Sequence, residues 1–191
     1  MTAKEQFLTN QQRYQPLMLP QRFSDEEMVH DWTLNQRDCR VVNKYRKQYC
    51  LGIAIQLCAM RLYGRFLNQL NELSPRVISY LSSQLELPRT LTVEVPEREA
   101  TLLEHRNNIL KYLGFRRFDD KVEADLDRWV ESHARQGLLP DELFHRAERY
   151  LLLTRIVLPG PTTIERQIVR ICNQVHAQLF EQVFEQMSSE T

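Results

Sequence analysis

The stretch from Tyr49 to Tyr63 (YCLGIAIQLCAMRLY) is apolar almost all the way round. A surface helix would show one polar side, and a half-buried strand would alternate. A segment apolar on every side has to be enclosed by other elements. Periodicity alone does not separate a buried helix from a buried strand here. The length and the closing Gly64 favour a helix, because glycine readily takes the left-handed conformation that ends one. A central buried helix needs others around it. Gly is scarce, at 5 of 191 residues, and runs of Leu, Gln, Glu and Arg are common, which favours helices over sheets. The expected fold is all-α: two helical modules with helix-turn-helix-like elements.

Local signals place the surrounding helices. Residues 3 to 14 form a candidate short helix stopped by Pro16 and Pro20. Ser24 and Glu27 make a capping box, opening a helix to about Asp31. Thr33 to Gln36 offers a second capping pattern, and a helix follows to about Lys47. Its apolar side is Leu34, Val41, Val42, Tyr45 and Tyr49. Ser74 and Pro75 suit the N-cap and first position of another helix, which runs to about Glu86. Leu87 to Pro96 holds two prolines and β-branched residues and reads as an extended connection. The expected division is a module over 1–87, a linker over 88–96 and a second module over 97–191. In the second module, helices over 97–113 and 119–136 end at Gly114 and Gly137. A third runs from Pro140 to about Thr154. Thr162 to Glu165 reads as a capping box opening a long helix to about Met187.

The net charge is zero, but it is unevenly spread. From Arg37 to Arg65 seven bases face a single acid, Asp38, a net of +6. From Asp119 to Glu142 eight acids face three bases, a net of −5. A clustered basic block can hold a phosphate backbone although the chain as a whole is neutral. The cysteines, Cys39, Cys50, Cys58 and Cys172, lack C-x-x-C spacing and read as free thiols of a reducing cytoplasm. The five histidines are scattered without metal-ligand spacing. Asp119-Asp120 and Asp141-Glu142 open helices, where acids complement the helix dipole. There is no Walker loop, G-x-G-x-x-G or G-x-S-x-G. No catalytic residue, metal or cofactor is expected. The run Leu51 to Met60 is too short to span a bilayer, so no membrane partner is expected either.

Residues 24 to 47 fit a helix-turn-helix: a short helix, a tight turn and a helix with a basic polar face. Gln36, Arg40 and Asn43 have base-reading chemistry, Arg for guanine and the amides for adenine. Arg37, Lys44, Arg46, Lys47, Arg61 and Arg65 suit phosphates. The second module has its own basic set, Arg146, Arg149, Arg155, Arg166 and Arg170. Arg116 and Arg117 follow Gly114 and join the candidate surface. Arg166 and Arg170 could instead pair with acids on neighbouring helices.

The segment Leu51 to Phe66 (LGIAIQLCAMRLYGRF) closely resembles a signature of Tn-three family transposases, the enzymes of replicative unit transposons in bacteria. Three further stretches agree in order and spacing. They are Ser74 to Tyr80 with Gln84-Leu85, Glu104-His105 with Tyr112 to Phe118 (YLGFRRF), and Arg155 to Arg166 (RIVLPGPTTIER). The resemblance implies an N-terminal region that binds the terminal inverted repeats of the element, a double-stranded DNA partner. It also implies a bacterial, cytoplasmic and nucleoid-associated setting. The family's chemistry is implied to lie downstream, in an RNase-H-like domain with a DDE triad and divalent metal. A helical protein–protein module that assembles transposase subunits is the alternative. The chain alone is expected neither to nick nor to join DNA, with or without magnesium. Metal-dependent nicking that copurifies with the chain through successive columns would contradict this.

Overall fold

The computed structural model describes residues 7–9, 23–88 and 92–189. Among them are eight α-helices and no strand. They are α1 (Asp25–Trp32), α2 (Gln36–Val42), α3 (Lys47–Tyr63), α4 (Pro75–Gln84), α5 (Glu99–Leu113), α6 (Asp120–Arg135), α7 (Pro140–Leu153) and α8 (Pro161–Ser189). The fold is all-α, as the patterning predicts. The helix expected over 3–14 lies outside the described residues, apart from 7–9, which are not helical.

The chain forms two compact units, one of Leu17–Arg116 and one of Met1–Pro16 with Arg117–Thr191. The expected linker over 88–96 therefore falls inside the first unit. The reason is α5, which packs on α3 and buries Ile109 and Leu110. The extended residues before it are held too. Val93 is buried, and its N–H donates to Asn71 Oδ1 at 2.8 Å.

In the Leu17–Arg116 unit α3 is the axis, with every residue from Cys50 to Met60 buried. Helices α1, α2, α4 and α5 all pack against it. They bring Trp32, Val42, Ile78 and Ile109 to the core. The one amide in the run, Gln56, is satisfied at both ends. Its Nε2 donates to the Leu67 carbonyl at 2.7 Å and its Oε1 accepts from the Leu67 N–H at 2.8 Å. A buried amide so paired avoids the cost of an orphaned polar group. The segment after α3 is thereby pinned to the middle of α3.

Two glycines of this unit are constrained. Gly64 ends α3 at φ 62°, its N–H donating to the Met60 carbonyl. Gly52 is a site of close approach by the segment that leads into α5. A Cβ there would lie 3.1 Å from the Glu94 carbonyl oxygen and 3.4 Å from Val93 Cγ1. Helix α2 is also shorter than expected. It stops at Val42, and residues 43–46 turn before α3 begins. The Cys50 thiol lies 3.4 Å from the Val42 carbonyl, so the turn brings the start of α3 under the end of α2.

The other unit is three helices, α6, α7 and α8, in mutual contact. Their core residues recur at three- and four-residue spacing: Val122, Leu126, Val130; Leu143, Ala147, Leu151; Ile164, Ile168, Ile171, Val175. Leu8 joins this core. The Phe7 and Leu8 N–H groups donate to the buried Glu165 carboxylate at 2.9 and 2.8 Å. Glu165 was expected to close a capping box with Thr162. Instead α8 starts at Pro161, with the Thr163 N–H on the Gly160 carbonyl at 2.9 Å, and Glu165 receives the 7–9 segment. Beyond Val175 the helix leaves the core. Phe180, Phe184 and Met187 are 75%, 66% and 68% exposed.

Because a β-branched residue strongly disfavours positive φ, Gly64→Val is expected to lower the unfolding free energy by about 1–3 kcal/mol. Urea denaturation reads this directly, and an unchanged midpoint would contradict the left-handed end of α3.

Candidate nucleic-acid interface

Thr33, Leu34 and Asn35 join α1 to α2. The side chain of Gln84 on α4 holds this connection. Its Oε1 accepts from the Leu34 N–H at 2.7 Å and its Nε2 donates to the Trp32 carbonyl at 3.0 Å. Asn35 caps α2, its Oδ1 accepting from the Arg37 and Asp38 N–H groups at 2.8 and 2.9 Å. Asp38 returns the bond, its Oδ2 accepting from the Asn35 N–H at 2.9 Å. The capping box therefore centres on Asn35, two residues after the expected Thr33.

Asp38 is fully buried. Its Oδ1 accepts from Arg61 Nη2 on α3 and from the Tyr112 hydroxyl on α5, both at 2.8 Å. One carboxylate thus ties three helices together. Burial pushes the Tyr112 hydroxyl above the usual tyrosine range, and the bond and charge of Asp38 push the same way. The phenol stays a donor.

This arrangement removes the one acid of the basic block from the surface. Arg61 stays 37% exposed but is committed to Asp38, and Arg65 is buried at 8% exposure. The rest of the block is exposed and compact in sequence. Gln36, Arg37 and Arg40 lie on α2, Asn43 caps its C-terminus, Lys44 sits in the turn, Arg46 is the N-cap of α3 and Lys47 its first residue. Gln36 and Arg40 are one helical turn apart on the same side. The polar stripe expected along one helix from Gln36 to Lys47 is instead shared between a two-turn helix and the turn after it.

The cations of the other unit are more often paired. Arg146 meets Glu142 one turn earlier at 2.5 Å, and Arg170 meets Asp127 on α6 at 2.5 Å. Asp127 also accepts from Gln167 Nε2 at 2.7 Å. Arg149 and Arg166 are exposed, as are Arg116 and Arg117 where the two units divide.

Residues the sequence reading passed over lie close by. Asp38 carried a signal, since Asn35-x-x-Asp38 has capping-box spacing. Arg98 shares an open cleft with Lys44 and Arg46. The cysteines form no disulfide, and Cys50, Cys58 and Cys172 are buried. Burial pushes the Cys58 thiol up to about 12, far from a reactive thiolate. Among the described residues no group of three or more His, Cys, Asp or Glu side chains is placed to hold a metal ion. No described helix is long and apolar enough to cross a membrane.

Comparison with known proteins gives this surface a context. The profile of the domain of unknown function DUF4158 matches residues 7–171. The transposase for transposon gamma-delta of Escherichia coli (strain K12) is 31% identical, over 93% of this chain and 18% of its own length. The transposase for transposon Tn1546 of Enterococcus faecium is 27% identical, over 97% of this chain and 19% of its own. The transposase for transposon Tn501 of Pseudomonas aeruginosa is 29% identical over 78% of this chain and 15% of its own. The chain spans less than a fifth of the length of these curated relatives.

Removing the Asp38 carboxylate would leave Arg61 and Tyr112 without their acceptor. Asp38→Ala is expected to cost about 3 kcal/mol or more of stability, and Tyr112→Phe about 1 kcal/mol. Urea midpoints for both variants test the ranking, and equal, negligible effects would contradict the hub.

Proposed function

This chain belongs to the DUF4158 family and is similar over most of its length to Tn-three family transposases, and from that premise we propose that it is the N-terminal, DNA-binding region of such a transposase. It recognises the terminal inverted repeats of its transposon during DNA transposition, in the bacterial cytoplasm, and leaves the cutting and joining to other parts of the full-length enzyme. The observation that carries this reading is the exposed cluster Arg37, Arg40, Lys44, Arg46 and Lys47, in which the one acid of the same stretch, Asp38, is buried against Arg61. Five exposed cations within eleven residues, with no exposed acid among them in the sequence, suit contacts to a phosphate backbone. The helix α2, held at its start by Gln84 and at its middle by Asp38, presents Gln36 and Arg40 with geometry fixed enough to read base edges. Its connection to α1 serves as the turn of a helix-turn-helix, with α1 crossing the backbone.

The second unit contributes less. Arg149 and Arg166, with Arg116 and Arg117, add phosphate contacts along a further segment of the same repeat, while Arg146 mainly holds its own helix and Arg170 ties α8 to α6. A protein-contact role is favoured for the end of α8, where Phe180, Phe184 and Met187 form an exposed apolar side. Other transposase subunits are the partners this reading implies.

Anisotropy titrations of the full chain on the terminal repeat and on scrambled duplex test the proposal. With about five phosphates neutralised, log K is expected to fall against log salt with a slope of roughly −4 to −5. Arg40→Ala is expected to weaken binding to the repeat about tenfold or more, with a smaller loss on scrambled DNA. A flat salt response, or equal affinity for both duplexes, would turn the assignment toward protein contacts.

A further inference from the structure

An open cleft of about 730 Å³ lies within the Leu17–Arg116 unit, beside the basic turn. One side is that turn, with Lys44 and Arg46. The other is the residues leading into α5, with Glu94, Glu97 and Arg98. Tyr45 and Tyr49 also line it, and their rings meet the buried His105 edge to face at 4.8 and 5.7 Å. Burial lowers the His105 pKa below the usual histidine range, so this aromatic group is uncharged at neutral pH.

The composition of this lining discriminates between occupants. A groove that only tracked a DNA backbone would carry cations and exclude carboxylates, since Glu94 and Glu97 would repel the phosphates. A groove for an apolar helix would not be ringed by five charged side chains. Cations, carboxylates and aromatic rings together suit a nucleotide. Lys44, Arg46 and Arg98 would take phosphates, Glu94 or Glu97 would accept from a base amino group as carboxylates do from cytosine N4, and Tyr45 and Tyr49 would pack on the base. The volume is in the range of sites that hold one small molecule, about 300–1,000 Å³. A base paired inside a duplex cannot present its face to two tyrosines.

We infer that the cleft receives one unpaired, amino-bearing nucleotide, drawn out of the duplex beside the Lys44–Arg46 turn. This rests on the DNA-binding reading above, and it adds that the bound duplex is opened at one position. No chemistry is required of the cleft. It holds the base while the cations hold the flanking phosphates.

Extrusion is easier where the base has no partner to leave. The test therefore uses the full chain and a set of terminal-repeat duplexes, each with an abasic site opposite one base in turn, read by anisotropy. Binding is expected to tighten about tenfold at one position, where the unpaired base is a cytosine, adenine or guanine, and to change little elsewhere. Glu97→Gln changes an exposed side chain and is expected to abolish that gain while leaving affinity for the intact repeat within about twofold. Tyr49→Ala is expected to do the same, with its folding checked by urea denaturation. Tight binding of the intact repeat with no favoured position overturns the cleft proposal and leaves the DNA-binding reading standing. A favoured position that persists in Glu97→Gln and in a folded Tyr49→Ala also overturns it. Failure to bind any duplex overturns both.

Discussion

The arrangement of the Leu17–Arg116 unit depends on one buried carboxylate. Asp38 sits at the third position of α2, where it closes the helix cap through Asn35, accepts a charged bond from Arg61 on α3 and a neutral one from Tyr112 on α5. Each bond is ordinary, but together they satisfy a fully buried anion, which would otherwise be too costly to enclose. The same residue thereby sets the electrostatics of the surface. Turned outward, Asp38 would stand among Arg37, Arg40 and Lys44 and reduce their field. Turned inward, it pairs with Arg61 and leaves no exposed acid between Arg37 and Lys47.

The basic turn is shaped by the core beneath it. Val42 has to be buried, and Cys50 approaches its carbonyl, so the chain reverses over residues 43–46 without a glycine or proline to mark the place. Backbone bonds from the Lys44 and Tyr45 N–H groups to the carbonyls of Val41 and Val42 close that reversal. The cations there are carried by a turn whose geometry is set by packing on both sides. A set of lysines and arginines on a long exposed helix would have had more freedom.

Much of this fold was legible in the sequence. The run from Tyr49 to Tyr63 had to be enclosed, its length and closing Gly64 favoured the helix that is found, and Gly64, Gly114 and Gly137 each have the positive φ expected of a helix end. The Ser24 capping box is present with both of its bonds. What was not legible came from long-range contacts. The break after Val42 is invisible because Val41, Val42, Tyr45 and Tyr49 fit one continuous helix as well as two. The prolines at 88 and 96 suggested a boundary, yet Val93 is buried and its backbone bonded to Asn71, which no local pattern foretells. Likewise a list of cations cannot separate Arg61 and Arg170, which are tied to carboxylates, from Arg40 and Arg166, although all four are exposed. That distinction lies in Asp38 and Asp127, distant in sequence and facing inward or sideways for reasons of packing.

The long helix α8 has a consequence of its own. Its first half is locked into a core from Ile164 to Val175, while its second half carries large apolar side chains that touch little. The free energy of local opening therefore falls along a single continuous helix, from near that of global unfolding at one end toward that of an isolated peptide at the other. A short helix is marginal in water by itself, so the distal turns are held mainly by the cooperativity passed on from the buried half. Whatever covers Phe180 and Phe184 would add order as well as contact. Part of its binding energy would go into completing the helix, so the strength of that association is coupled to the integrity of a core about one to three turns away.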